Sequence, residues 1–376
     1  MAASNPPLLV AGVAPYVRDA QNLRRIMATV LIALVPVFLM ACYNTGYQAN
    51  LAIGEQGMSP VSGWRETVLG WLGIGFMPGS LLANMVRGAF WVVPPLVIAF
   101  GVGGVWEWIF CRTRHKPFNE AFWVTAALYG LSLPPGMPMW KAAMGISFGI
   151  VFCKHAFGGA GYNVFNTMLV SRGFLFFSFP NHFSGAAPYA AVDAYSTATP
   201  LTALNADGMS AVSEAYTWLD AFLGLVPGSL GETSAAACLL GGLLLVGTGV
   251  ASWRILAGLL LGVVVMVSGL NALLASGVAD NPTFAMPIHW HLVVGSIAFG
   301  GVYMATDPVT APASSYGRWV YGFLIGAMII SIRCLNPAYT EGTLLTILFM
   351  NAFASLIDYT VLRWFVRRRR RAIDGG

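Results

Sequence analysis

The chain has 376 residues, of which 57% are hydrophobic and only 9% are charged, and its formal net charge is +5. Because soluble domains carry roughly a quarter charged residues, this composition excludes an ordinary soluble protein and indicates a membrane protein. The basic excess does not indicate nucleic-acid binding, since the lysines and arginines cluster at the ends of apolar segments, as the positive-inside rule expects.

Ten apolar segments have lengths near the roughly 20 residues that cross a bilayer as a helix. The predicted spans are residues 25–43, 83–110, 119–134, 138–154, 162–179, 233–250, 255–275, 288–305, 317–334 and 343–364. The predicted fold is therefore an all-α polytopic membrane protein with about ten transmembrane helices. The five cysteines form no C-x-x-C pair, so no iron–sulfur or zinc site of the usual spacing is expected.

The basic residues predict the orientation of these spans. With ten spans, fifteen of the 20 lysines and arginines fall on the side that holds both termini. Because cytoplasmic loops are enriched in Lys and Arg, we expect both termini to be cytoplasmic. Residues 1–24 then form a cytoplasmic N-terminal segment, and residues 365–376 form a basic cytoplasmic tail.

Residues 180–232 form the longest predicted loop, which this orientation places on the extracytoplasmic side. No Lys or Arg lies between Arg172 and Arg254. Five predicted spans precede the loop, within residues 25–179, and five follow it, within residues 233–364. The two halves therefore have opposite orientations, which predicts two inverted five-helix repeats.

A hydroxyl-rich run, Asp193-Ala-Tyr-Ser-Thr-Ala-Thr199-Pro200, lies within this loop. Proline favours an extended conformation at Thr199, and the small Ala198 leaves the threonine hydroxyl approachable. On composition alone, a turn or capping cluster is the more frequent explanation, and enzymatic modification of Thr199 is the alternative. With no basic residue nearby in the sequence, the loop lacks the usual salt-bridge clamp for a phosphorylated cofactor. A phosphate held here would need backbone amides or a covalent bond.

The same run closely resembles the flavinylation signal of one protein family. That family includes the B subunit of the sodium-translocating NADH:quinone oxidoreductase and the D subunit of the Rnf complex. Further resemblances extend over nearly the whole chain, among them Val102-Gly-Gly-Val-Trp-Glu107, Phe157-Gly-Gly159, Trp218-Leu-Asp-Ala-Phe222, Pro227-Gly-Ser-Leu-Gly-Glu232, Met286-Pro-Ile-His-Trp-His-Leu292, Met304-Ala-Thr-Asp-Pro-Val309 and Asn336-Pro-Ala-Tyr-Thr-Glu-Gly342. The Trp218, Pro227 and Met286 stretches resemble the quinone-reductase protein more than the Rnf protein.

The resemblance implies an integral-membrane flavoprotein in a six-subunit redox complex of the bacterial inner membrane. Electrons would pass from covalent FMN through riboflavin to quinone, coupled to Na⁺ export. A separate flavin transferase would join FMN through its phosphate to Thr199, so this residue is an attachment point and not a catalytic nucleophile. NADH would be oxidised on another chain of the complex, because this one has no strand–Gly-x-Gly-x-x-Gly–helix unit. The alternatives are an Rnf-type D subunit and a non-redox ten-helix channel or solute carrier.

A riboflavin site is implied at Asn163, Asn166 and Asp307, which match family positions near this second flavin. Amide side chains can satisfy both the donors and the acceptors of a flavin ring. The chain departs from the family pattern at Tyr162 and Thr167, where the family usually has Arg and Pro. From the residues alone, asparagines that cap loops are the default interpretation.

A quinone site is implied at Gly103 and Gly104, with Phe122 and Trp123 as the matching aromatic residues opposite. Small residues within a span let a flat ring or another helix approach closely. From the residues alone, helix packing is the more frequent explanation.

An ion site is implied at Glu107 and Asp358, which match family carboxylates linked to sodium uptake. Acidic residues inside a membrane are costly and therefore indicate a function by default. The alternative is a structural ion pair, with Arg112 or Arg363 as the partner four or five residues away.

Overall fold

The structure is a computed structural model of the chain that describes residues 23–54, 57, 59–61, 63–183, 199–278, 281–336 and 341–374. Every regular element within these ranges is a helix. Residues 193–198 of the hydroxyl-rich run lie outside the described residues, whereas Thr199 lies within them.

Besides the short 3₁₀ helix Pro180–His182, the described residues up to position 215 form eight α-helices and a π-helical segment. They are α1 (Leu23–Ala33), α2 (Val35–Gly54), α3 (Trp64–Trp71), α4 (Leu81–Thr113), α5 (Ala121–Ser132), α6 (Met139–Phe148), the π-helical segment Gly149–His155, α7 (Thr167–Ser178) and α8 (Pro200–Ala215). Helices α2 and α4 pack against each other, and α4 also packs against α5 and α6. Helix α8 falls within the predicted loop, so that part of the loop is helical.

Besides the short 3₁₀ helix Pro282–Ala285, the remaining described helices include one interrupted pair, α12 and α13. They are α9 (Trp218–Leu223), α10 (Ala235–Gly247), α11 (Trp253–Ala275), α12 (Ile288–Val293), α13 (Ile297–Tyr303), α14 (Ser315–Leu335) and α15 (Thr343–Asp374). Helix α11 packs against α14, and α14 against α15.

Five helical segments among the described residues have the length and composition to cross a membrane. They are Leu23–Gly54, Leu81–Thr113, Trp253–Ala275, Ser315–Leu335 and Thr343–Arg371. Helices α5, α7 and α10 are apolar but shorter. These helices identify a multi-pass membrane protein, and a helix or an interrupted helix lies in each of the ten predicted spans. The number of membrane crossings and the inverted repeat remain predictions.

The break between α12 and α13 occurs at Gly295, which has φ +74°, a conformation that favours glycine. A Cβ atom at this position would lie 2.4 Å from Nη2 of Arg333. Arg333 is buried and donates hydrogen bonds to the carbonyl oxygens of His291 and Val294, at 2.8 and 2.9 Å. The arginine therefore satisfies carbonyl groups that the end of α12 leaves without helical partners.

Two hydrophobic cores and a cluster of three buried residues, Ala49, Ala52 and Trp91, organise the described residues. The larger core joins residues of the first half, such as Leu131, to residues of the second half, such as Ile255 and Ile347. The smaller core packs α8 against α9 and α12 and contains Leu204 and Trp290. Because Thr199 directly precedes α8, this smaller core holds the predicted attachment residue against the membrane helices.

Two candidate cofactor clefts

Thr199 caps the N-terminus of α8. Its backbone is extended, with φ −65° and ψ 155°, which confirms the conformation predicted from Pro200. The Thr199 Oγ1 atom accepts a hydrogen bond from the backbone N–H of Thr202 at 3.4 Å and lies 3.0 Å from the Thr202 hydroxyl. The side chain is only 3% exposed. The capping role expected from composition is therefore correct, and it also places the hydroxyl at a helix N-terminus.

A cleft of about 320 Å³ of empty space, part of it open to solvent, lies beside this cap and is called the Thr199 cleft. Its lining comprises residues 199–201, 226–229, 232–233, 294–295 and 341. In α8, Pro200 has no N–H and Thr199 caps the N–H of Thr202, so the partial positive charge of the helix N-terminus is the feature that favours an anion. The cleft thus combines a hydroxyl that can be esterified with an environment suited to a phosphate.

Arg172 of α7 lies behind the wall of the Thr199 cleft. It donates hydrogen bonds to the carboxylate of Glu232 and to the carbonyl oxygen of Ser132, and Nη2 donates to the Ser229 hydroxyl at 3.4 Å. Both Arg172 and Glu232 are buried. The fold therefore brings an arginine from another helix behind the cleft, where it is paired with Glu232.

Burial raises the pKa of both carboxyl groups in this cleft. The pKa of Glu232 rises from 4.5 to about 7, because desolvation outweighs its attraction to Arg172. Desolvation also raises the pKa of Glu341, against the attraction of Arg172 and Arg333. These carboxyl groups therefore release their protons less readily than carboxyl groups in water.

A second cleft, called the amide cleft, has about 800 Å³ of empty space, part of it open to solvent. Side chains of α1, α5, α10 and α13, Lys154 of the π-helical segment, and turn residues in 160–167 and 306–309 line it. The lining includes Asn163, Asn166 and Asp307, so the fold brings together the three residues that the resemblance implied.

Hydrogen bonds hold these three side chains in place. Asn166 caps α7 by accepting from the backbone N–H of Met168 at 3.1 Å and donates to Oδ2 of Asp307 at 3.2 Å. Asn163 donates to the carbonyl oxygen of Phe165 at 2.8 Å. Desolvation raises the pKa of Asp307, partly offset by its hydrogen bonds. The default interpretation of loop-capping asparagines is thus also correct, and capping orients the amides at the cleft.

The two residues that depart from the family pattern, Tyr162 and Thr167, differ in how exposed they are. Tyr162 is 69% exposed, with the ammonium of Lys116 at 5.7 Å from its ring centroid. Thr167 is buried and lines the amide cleft. Only the second departure therefore changes the lining of the cleft.

Glu107 pairs with two basic residues of the π-helical segment. Its Oε2 atom accepts from Nζ of Lys154 at 2.9 Å and lies 3.0 Å from Nε2 of His155. All three side chains are buried. The suggested pairing with Arg112 is replaced by this arrangement, since the π-helical turn directs consecutive residues to one carboxylate.

Asp358 holds the N-terminus of α14. Its carboxylate accepts from the backbone N–H groups of Ala313 and Ser314 at 2.7 and 3.1 Å, and from the Ser314 hydroxyl. These contacts replace the suggested pairing with Arg363. A carboxylate at this position is stabilised by the partial positive charge of the helix N-terminus.

The predicted quinone residues are adjacent in space. A Cβ atom on Gly103 would lie 2.8 Å from the Phe122 ring, and one on Gly104 would lie 3.8 Å from it. The rings of Phe122 and Trp123 are 5.6 Å apart, and the Trp123 side chain is 43% exposed. Gly103 therefore serves helix packing of α4 against α5, as expected from the residues alone.

Comparison of the sequence with models of known families identifies the family of this chain. The model of the NQR2, RnfD, RnfE family matches residues 10–365. The chain belongs to this family. The predicted family is thus confirmed.

Relatives of this family member share nearly half of its residues. The B subunit of the Na⁺-translocating NADH-quinone reductase of Chromohalobacter salexigens is 46% identical over 98% of this chain and 88% of the relative. The protein of the same name from Pseudomonas aeruginosa strain LESB58 is 46% identical over 94% of this chain and 88% of the relative. The protein of the same name from Azotobacter vinelandii is 45% identical over 96% of this chain and 90% of the relative.

Sequence reasoning about this family member missed the partners of its buried carboxylates. Arg172, Lys154 and His155 each contact a carboxylate at least 40 positions away in the sequence. One signal was available for Arg172, because a permanently charged residue near a predicted span needs a buried partner. The identity of that partner depends on how the fold brings the segment that precedes α10 against α7.

Proposed function

We propose that this chain is the integral-membrane, flavin-carrying B subunit of a sodium-translocating NADH:quinone oxidoreductase. In this proposal, electrons pass from FMN on Thr199 through riboflavin to quinone, coupled to Na⁺ export. The observation that carries the proposal is the Thr199 hydroxyl at the N-terminus of α8, beside a cleft with a buried arginine behind it. The names of the relatives support the same complex.

The residues at Thr199 fit a phosphate ester. The hydroxyl supplies the attachment point, and the helix N-terminus with Arg172 behind the cleft offsets negative charge. Covalent FMN would supply the redox chemistry of its isoalloxazine ring, which no side chain of the cleft provides. The protein's own part is to fix the position of the ester and to keep it among buried groups.

The amide cleft fits an uncharged flavin such as riboflavin. Its lining is largely apolar with a few oriented polar groups, as is usual for sites that bind small molecules. Asn163 and Asn166 would offer amide donors and acceptors to the ring edge, and Asp307 would accept hydrogen bonds. The cleft needs no phosphate-binding group for this ligand.

Quinone and Na⁺ complete the proposal. We assign quinone to the surface of Gly103, Gly104, Phe122 and Trp123, where the exposed indole extends the aromatic cluster. Glu107 and Asp358 are the proposed ion residues, since carboxylate oxygens suit a hard cation. Their observed partners mean that an ion would have to displace Lys154 or the cap of α14.

The proposal also covers the site of NADH oxidation and the orientation of the chain in the membrane. NADH oxidation belongs to another chain, and both termini face the cytoplasm of a bacterial inner membrane, with Thr199 on the opposite side. The Rnf-type alternative is weaker, because relatives that are 46% identical to this chain are named as subunits of the quinone reductase. Sodium-dependent quinone reduction by the purified complex separates these two functions.

Coexpression with a flavin transferase tests the flavin assignment. Under ultraviolet light after denaturing electrophoresis, the wild-type band should fluoresce and the Thr199→Val band should be dark. Thr202→Val is the matched control, because its hydroxyl lies 3.0 Å from that of Thr199, and its band should fluoresce. A dark wild-type band, or a fluorescent Thr199→Val band, would overturn the proposal.

A further inference from the structure

Two arginines and a tryptophan meet at the N-terminal end of α4, far in sequence from both clefts. Arg87 of α4 is buried and pairs with Glu66 of α3, with Nη1 at 2.6 Å from Oε1. The half-buried Arg65 of α3 lies over the ring of Trp91, with its guanidinium carbon 4.1 Å from the ring centroid. Trp91 follows Arg87 by one helical turn, so the two side chains are neighbours on α4. The residues Arg65, Arg87 and Trp91 are called the arginine–indole site.

Four N–H groups of this site have no hydrogen-bond acceptor in the part of the chain that the structure describes. They are Nε and Nη2 of Arg87, Nε of Arg65 and Nε1 of Trp91, and all four atoms are buried. The side chains of Arg87 and Trp91 are only 1% and 4% exposed. Oδ1 of Asn50, which donates to the nearby Asn84, is an unpaired acceptor, but one oxygen cannot serve four donors. Because buried donors without an acceptor are costly, the site favours a ligand that brings several oxygen atoms.

The charge of the site indicates that this ligand is an anion. Two guanidinium groups face one carboxylate, that of Glu66, so the net charge of these described residues is +1. Arg65 forms no ion pair with any described residue. An arginine that lies over an indole ring has its plane fixed, and its edge is left to bind two oxygens of one phosphate. A phosphate group therefore matches both the charge and the donors.

The length of α4 places the site at the edge of the membrane. Its 33 residues extend for about 50 Å, whereas the hydrocarbon layer of a bilayer is about 30 Å thick. A centred helix therefore projects by about 10 Å at each end. Arg87 is the seventh residue of α4 and lies about 9 Å from its N-terminal end. The arginine–indole site is thus level with the lipid headgroups, on the extracytoplasmic side in the proposed orientation.

Exposed apolar side chains lie between α3 and the first turn of α4. Trp71, Met77, Leu81 and Leu82 are each at least 68% exposed. Tryptophan is typical of the membrane interface, and apolar side chains at this depth contact acyl chains. A free inorganic phosphate would gain nothing from these side chains, whereas a phospholipid would contact both them and the arginines. The surroundings therefore favour a lipid over a free anion.

We propose that the arginine–indole site binds the phosphate of an anionic phospholipid, such as phosphatidylglycerol, whose acyl chains lie against the apolar residues of 71–82. The edge of Arg65 and the indole N–H of Trp91 hold the phosphate oxygens, and Arg87 supplies further charge. The net charge of +1 selects a headgroup with one negative charge over a zwitterionic one. This site does not depend on either flavin, and none of its residues was singled out by the sequence motifs.

Native mass spectrometry of the full-length protein in detergent tests the proposal. The protein is titrated with dioleoylphosphatidylglycerol or with dioleoylphosphatidylcholine, which has the same acyl chains, and the apparent Kd of the first bound lipid is measured. Phosphatidylglycerol should bind about fivefold more tightly, as expected for one additional charge interaction near the membrane surface. Arg65→Gln should raise its Kd about tenfold, because a charge-assisted contact is lost. Arg65 has no ion-pair partner to leave unpaired, so the variant should fold.

Trp91→Phe provides an independent variant, because it keeps an aromatic ring under Arg65 and removes only the indole N–H. It should raise the Kd of phosphatidylglycerol about threefold, which is less than the loss of a charged group. Arg254→Gln is the matched control, since Arg254 is also half-buried and also lies over a tryptophan, Trp253, at 5.2 Å. It removes the same charge at the start of α11 and should leave the Kd of the first lipid unchanged.

Three outcomes would overturn the proposal. Equal Kd values for the wild type and Arg65→Gln would mean that the unpaired donors are satisfied by water. Displacement of the lipid by excess inorganic phosphate would assign the site to a free anion. If Arg65→Gln weakens lipid binding to the chain alone but not to the purified complex, another subunit covers this face and the lipid is not its occupant.

Discussion

The two clefts differ in size and in the source of their polarity. The Thr199 cleft is the smaller, and full charges and a helix N-terminus surround it. The amide cleft has more than twice the empty volume and is lined mainly by apolar side chains with oriented amides. This difference matches the two proposed flavins: charge and a covalent bond would suit a phosphate, and shape with hydrogen bonds would suit an uncharged ring.

The largest expected effect comes from breaking the charged wall of the Thr199 cleft. Arg172→Met leaves the carboxylate of Glu232 buried without its partner, so we expect the free energy of unfolding to fall by about 3–5 kcal/mol. Replacing both residues in Arg172→Met/Glu232→Met should recover most of this loss. Thermal unfolding of the purified variants in detergent measures both effects. If Arg172→Met were as stable as the wild type, the ion pair of Arg172 and Glu232 would not stabilise this part of the fold.

A second prediction concerns pH. Because the pKa of Glu232 is raised to about 7, its proton stabilises the folded state fully below about pH 4.5, and this stability is lost as pH rises through 7. Between pH 5 and pH 8, the unfolding free energy of Glu232→Gln should therefore increase relative to wild type by about 2–3 kcal/mol. Melting temperatures across this range test the sign, and parallel curves for the two proteins would contradict it.

The third prediction separates the amide cleft from the Thr199 cleft. Asn166→Leu removes the cap of α7 and the bond to Asp307, so stability should fall by about 1–2 kcal/mol. The amount of riboflavin that acid releases from the purified protein should fall about tenfold, which corresponds to a loss of about 1.4 kcal/mol in binding free energy. The fluorescence of the flavin attached covalently to Thr199 should be unchanged.

Asn271→Leu, on α11 and outside the amide cleft, is the control for this third prediction. It should retain riboflavin. Parallel loss of both flavins in Asn166→Leu would show that the two clefts do not act as separate sites.

Local sequence rules predicted the extended conformation at Thr199, because Pro200 restricts the residue before it. They also placed a helix or an interrupted helix in each of the ten predicted spans, since apolar runs of suitable length have few other solutions in a membrane. Family resemblance, and not local pattern, brought Asn163, Asn166 and Asp307 together.

Ion-pair partners were not predictable in the same way. Glu232 and Arg172 lie 60 positions apart, and their pairing depends on how the fold brings the segment before α10 against α7. Likewise, Lys154 and His155 reach Glu107 through a π-helical turn, which no composition rule predicted. Helix α8 was predicted as loop because its sequence has no continuous apolar run, and its burial depends on the smaller core.

Helix α7 connects the two clefts directly. Its N-cap, Asn166, belongs to the amide cleft, and Arg172, six residues later, lies behind the wall of the Thr199 cleft. Six residues of α-helix rise about 9 Å. One short helix therefore supplies a polar group to each cleft, and the two groups lie about 9 Å apart along its axis.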